Sequence, residues 1–68
     1  MNPGVAYWEL IASKLKGLGW QMSITVAHVH GAELSLIDAR QDGIRFVVLA
    51  DDRLAGLLEL EADIKARS

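Results

Sequence analysis

Between Leu34 and Ala50 the chain reads Leu-Ser-Leu-Ile-Asp-Ala-Arg-Gln-Asp-Gly-Ile-Arg-Phe-Val-Val-Leu-Ala, and no other stretch constrains the fold as strongly. Two β-prone runs flank Gln41-Asp42-Gly43, and Asp-Gly between apolar runs is a strong short-range hairpin signal. Gly43 supplies the positive φ that such a turn demands, at no steric cost. The segments on either side carry helical patterns, so this hairpin is the expected spine of the fold.

Upstream, Asn2 followed by Pro3 has the form of a helix start, a capping side chain before a proline at the first helical position. Trp8, Ile11, Ala12, Leu15 and Leu18 then recur at three- and four-residue steps, one apolar stripe of an amphipathic helix. Glu9, Ser13, Lys14 and Lys16 take its other face. Gly17 and Gly19 end the helix, with Gly19 as the left-handed cap.

After Trp20, Met22-Ser23-Ile24-Thr25-Val26-Ala27 alternates in the period-two pattern of a strand. Continued, the alternation puts His28 and His30 on the face of Ile24 and Val26, with a turn at His30-Gly31-Ala32. In the second strand Leu34 and Leu36 point one way and Ile37 and Ala39 the other, which leaves two readings: both faces partly covered, or a bulge. The third strand puts Ile44, Phe46 and Val48 on one face. Asp51-Asp52 offers a cap for a final helix from Arg53 to about Ala66, whose apolar arc is Leu54, Leu57, Leu58, Leu60 and Ile64.

The expectation is one domain, 1–68, of the α+β class. Its order is α-β-β-β-α, a three-stranded antiparallel sheet with two helices packed on one face. The other face then stays open. With Phe46 and Val48 toward the helices, Arg45, Val47 and Leu49 lie on that open side, and Ile37, Ala39, Ala27 and Val29 are taken to join them. Ile37, Arg45, Val47 and Leu49 are therefore the candidate interface residues, since a contiguous exposed apolar patch marks an interaction surface.

Composition narrows the function classes. A chain of 68 residues buries only about 60% of its unfolded surface, so its core is marginal and self-association is one route to stability. Cysteine is absent, which excludes disulfides and thiolate metal sites. A net charge of −2 gives no electrostatic reason to approach a phosphate backbone. No apolar run approaches the length of a membrane span, and Met1-Asn2-Pro3-Gly4 lacks the form of a secretory signal, so the expected location is the cytoplasm.

Few residues suggest chemistry. His28 and His30 are the candidate metal ligands, a His-x-His pair on one strand face that Glu33 or Asp38 would complete. Glu61 falls inside the apolar arc of the last helix, where a carboxylate needs a partner such as Arg45, Arg40 or a tryptophan N–H. Asp42, Asp51 and Asp52 have turn and cap roles. Gly17-Leu18-Gly19 ends a helix where a phosphate cradle would begin one, and no serine sits in a nucleophile motif. No catalytic residue and no cofactor is expected.

Three resemblances accompany this reading. The α-β-β-β-α order resembles that of double-stranded-RNA-binding domains, which carry a lysine-rich start to the final helix; here that position reads Asp51-Asp52-Arg53. Glu9-Leu10-Ile11 through Leu18-Gly19-Trp20 resembles the first helix of HicA-type mRNA-interferase toxins, whose catalytic histidine belongs to a Gly-Ser-His element. Here the corresponding run is His28-Val29-His30-Gly31. Over nearly the whole chain, Tyr7-Trp8, Gly19-Trp20, Asp38-Ala39, Asp42-Gly43, Arg45-Phe46-Val47-Val48, Ala50-Asp51 and Leu60-Glu61 resemble small uncharacterised bacterial proteins of about 70 residues. That resemblance implies a fold and no activity. The expectation is a non-catalytic protein-interaction module that associates with itself, or with another protein, through the open sheet face or an edge strand. The alternative is a nucleic-acid-acting protein of double-stranded-RNA-binding-like or HicA-like fold.

Overall fold

Two tight turns divide the middle of the chain into three strands. The computed structural model describes residues 6–67. Its elements are α1 (Tyr7–Gly17), β1 (Gln21–Val29), β2 (Ala32–Gln41), β3 (Ile44–Ala50) and α2 (Arg53–Arg67). The strands form an antiparallel sheet in the order β1-β2-β3. His30 and Gly31 have φ of 50° and 80°, and Asp42 and Gly43 have 49° and 82°. Two consecutive positive φ angles are the mark of the type I′ turn, whose twist suits a hairpin. His30 therefore lies in a turn rather than on a strand face.

The Asp42-Gly43 turn has two residues, so Gln41 pairs with Ile44, Ala39 with Phe46 and Ile37 with Val48. Cross-strand partners share a face. Ile37 and Ala39, both fully buried, thus lie under the helices with Phe46 and Val48. This corrects the expectation that they join the open side. The pairing runs without a bulge, and Leu34 and Leu36 take the opposite, open face.

α1 begins at Tyr7 with Ala6 as its cap and no side-chain cap bond; Asn2 and Pro3 lie outside the described residues. Its other end follows the sequence closely. Gly19 has φ of 98°. The Gly19 N–H donates to the Lys16 carbonyl at 3.0 Å, and the Trp20 N–H to that of Leu15 at 3.2 Å. This is a Schellman closure, with Trp20 and Leu15 both in the core beneath it. The Gln41 side-chain amide donates to the Leu18 carbonyl at 2.7 Å and ties this corner to β2. α2 starts on Asp52, whose Oδ1 accepts from the Ala55 N–H at 2.8 Å.

The core lies between the helices and one sheet face: Ile11, Ala12 and Leu15 of α1, Leu57 and Leu60 of α2, and Trp20, Ile37, Ala39 and Val48. Trp20 and Phe46 meet at 5.7 Å between ring centroids. Gly56 is buried where α2 crosses β2, and a Cβ there would stand 2.6 Å from Ile37 Cδ1. The glycine lets the helix backbone approach the sheet. The helices run parallel. Arg53 at the start of α2 stacks its guanidinium 4.4 Å from the Trp8 ring near the start of α1. Further along, Lys14 Nζ meets Glu61 Oε2 at 2.8 Å.

Candidate functional site: the open sheet face

With both helices on one side, strand alternation dictates what the other side presents. From β1 it takes Gln21, Ser23, Thr25, Ala27 and Val29. From β2 it takes Ala32, Leu34, Leu36, Asp38 and Arg40, and from β3 it takes Arg45, Val47 and Leu49. Val47 is 56% exposed and Leu49 49%. Leu36 lies between Thr25 and Leu49, and Leu34 lies opposite Ala27.

The face is divided along its length. Toward the β1–β2 turn it is apolar, with Ala27, Val29, Leu34, Leu36 and Leu49, and Val47 borders this region from the row of Ser23 and Asp38. Toward the β2–β3 turn it is polar, with Gln21, Ser23, Asp38, Arg40 and Arg45. The Arg45 Nε donates to Asp38 Oδ2 at 3.1 Å, and its Nη2 donates to the same carboxylate. The pair is diagonal across the strands, since Asp38 opposes Val47 and Arg40 opposes Arg45. Asp38 sets a negative charge beside two guanidiniums that would otherwise repel across the strands. The hydrogen bonds from Arg45 hold the Asp38 carboxyl below its ordinary value, with Arg40 adding to the effect.

Three of the four predicted interface residues, Arg45, Val47 and Leu49, share this face; Ile37 is on the other. The two-residue turn makes 41 and 44 partners, which by parity sends Ile37 to the side of Val48 and leaves Leu34 and Leu36 outside. Those two leucines are the site residues that sequence reasoning missed, and the length of the turn is the signal that would have found them.

The other candidates have structural surroundings. His28 stands on the helix side of β1, opposite Glu33, and His30 sits in the adjacent turn. Asp38 is on the far face from His28. Among the described residues no group of three or more His, Cys, Asp or Glu side chains is placed to hold a metal. Glu61 finds its partner in Lys14, not in an arginine or a tryptophan. The hydrogen bond from Lys14 lowers the Glu61 carboxyl value and raises that of Lys14. At the start of α2, Asp52 caps the helix and Arg53 lies over Trp8, so these side chains are engaged within the fold. A concavity of about 500 Å³ opens beside the β2–β3 turn between Gly19, Gln21, Arg40, Asp42 and Arg45. Its lining holds no nucleophile with a base beside it.

Among the described residues no helix is long and apolar enough to cross a membrane. No family model, curated protein or solved structure matches the chain significantly. The functional reading therefore rests on geometry.

Proposed function

We propose that the protein is a non-catalytic interaction module whose open sheet face binds a second copy of itself. The observation that supports this reading is the apolar half of that face, where Val47 and Leu49 stand half exposed beside Leu34 and Leu36. An antiparallel sheet tolerates one solvated face when that face is polar. Here only one end is. Two such faces stacked about 10 Å apart interdigitate like the inner layers of a β-sandwich, with strands crossing at about 30°. The self-neutralised Asp38–Arg45 pair adds little unmatched charge at the rim, and a second copy supplies the same apolar surface in return.

Size sets the strength. Three strands at about 4.8 Å spacing and some nine residues long offer about 400 Å² of plan area. A standard interface buries about 800 Å² per partner, so the face alone supports a weak, concentration-dependent dimer. Light scattering at increasing protein concentration tests this. The wild type is expected to reach a greater mass than Val47→Lys as concentration rises; wild type and Val47→Lys of the same mass at every concentration would end the proposal.

A further inference from the structure

The sheet has a second unprotected element, its β1 edge. Natural sheets guard their edges with lysine, proline, bulges or a covering element. β3 has such a guard: Arg45 near one end and Asp51 and Asp52 past the other. β1 has none. From Gly17 to Ala32 the chain carries no Lys, Arg, Asp, Glu or Pro. β1 runs nine residues, regularly paired to β2 throughout and paired to nothing on its outer side among the described residues.

The backbone there has a defined phase. The two-residue turn makes Val29 and Ala32 a hydrogen-bonded pair. By alternation Ala27, Thr25, Ser23 and Gln21 also direct their backbone groups to β2. The N–H and C=O groups of Met22, Ile24, Val26 and His28 then face outward, unpaired. One of these residues is anomalous. Val26 belongs to the helix-side face by register, yet it is 63% exposed, because neither helix reaches that part of the edge strand.

We propose that β1 of one copy pairs antiparallel with β1 of a second copy, about a two-fold axis at Thr25, to give a continuous six-stranded sheet. In that register Val26 of each copy lies opposite the partner's Ile24, and His28 opposite the partner's Met22. All four are outward-bonding residues, so the phases agree. Each exposed valine gains an apolar neighbour on the helix side. No like charges meet, because the strand has none. A second copy is the occupant that supplies this complement, since the strand's exposed and half-buried apolar positions match each other about its own centre.

The β1 edge is a different surface from the open face, and pairing along it enlarges that face. Two copies joined along β1 present about 800 Å² of plan area on one continuous face, the size of a standard interface. The two contacts together close as a tetramer of two stacked six-stranded sheets, with helices on both outer layers.

Sedimentation of four proteins separates the two surfaces: wild type, Val47→Lys, Val26→Pro and Val47→Lys/Val26→Lys. Proline at 26 removes an outward N–H and no β1–β2 bond, and Val26→Lys places a charge on an exposed edge site, so the fold is retained. The expected masses are four times 7.4 kDa for wild type, twice for Val47→Lys, twice for Val26→Pro and one unit for the double variant. Amide exchange gives an independent readout, with the Met22, Ile24, Val26 and His28 N–H groups protected in Val47→Lys and lost to solvent in the double variant. A monomeric Val47→Lys with those amides unprotected overturns the edge pairing while leaving the face reading intact. A Val47→Lys protein with the wild-type mass, reduced by Val26→Pro, supports the edge and overturns the face. A wild type of 7.4 kDa at all concentrations overturns both.

Discussion

The approach of α2 to the sheet at Gly56 makes a quantitative prediction. An alanine there would place its Cβ 2.6 Å from Ile37 Cδ1, while Ala50 Cβ at 3.4 Å and Ile37 Cγ1 at 3.6 Å are ordinary neighbours. Only Cδ1 is in the way, and Ile37 has no room to yield, being fully buried in the central strand. Overpacking of this kind costs about 1–3 kcal/mol. Against it stands a helix-propensity gain of about 1 kcal/mol for Gly→Ala. Gly56→Ala is therefore expected to lose about 0–2 kcal/mol. Ile37→Val alone removes Cδ1 and leaves a void, for about 0.5–1.5 kcal/mol. Together, the alanine Cβ fills the space the methyl vacated, the clash is gone and the propensity gain remains. The double variant is expected to match or exceed the wild type, a coupling of about 1–3 kcal/mol in its favour. Urea unfolding of all four proteins at one fixed concentration measures the cycle, the fixed concentration keeping self-association from entering the comparison. Costs that simply add, within about 0.5 kcal/mol, would refute the claim that Ile37 Cδ1 and Gly56 are a matched pair.

Asp52→Ala should remove the cap of α2 and cost about 1 kcal/mol, which in a domain this size lowers Tm by roughly 4–8 °C, with Asp52→Asn retaining most of the cap. The Lys14–Glu61 bridge makes stability pH-dependent. The Glu61 value is lowered in the folded state, so its contribution is complete above the unfolded carboxylate value of about 4.3 and is lost as the pH falls through the folded one. Glu61→Gln should accordingly melt below wild type at neutral pH and converge with it in acid, where the protonated Glu61 is as uncharged as the glutamine amide; a constant gap across the range would contradict the bridge.

Much of the fold was legible from residue chemistry. Gly19 closed α1 where expected because a left-handed position after an apolar stripe favours glycine. Asp42-Gly43 made the central hairpin, and Asp52 capped the last helix. The errors have physical causes. β2 carries apolar and polar residues on both faces, so period-two reasoning had no contrast by which to orient Ile37, and only the turn length resolves it. Helix periodicity placed Glu61 near the core but held no information about which neighbouring helix would answer it; that Lys14 does so follows from the parallel packing of α1 and α2. The buried role of Gly56 was hidden because an isolated glycine in a helical pattern reads as a mild defect until the strand beneath it is known. At His30 the continued alternation and the turn signalled by Gly31 conflict, and the turn prevails, with positive φ at both His30 and Gly31. The open face was anticipated as a feature of three strands with two helices on one side, while its leucines, Leu34 and Leu36, required the register.

The central claim, that this open face is a self-association surface, is tested most directly by sedimentation equilibrium of Val47→Lys/Leu49→Lys beside Leu58→Lys. All three residues are exposed and apolar, but Leu58 lies on α2, away from the sheet. The account predicts that the double variant loses mass relative to wild type over the micromolar range while Leu58→Lys sediments as wild type does. Loss of mass in Leu58→Lys with the Val47→Lys/Leu49→Lys protein unchanged would contradict it.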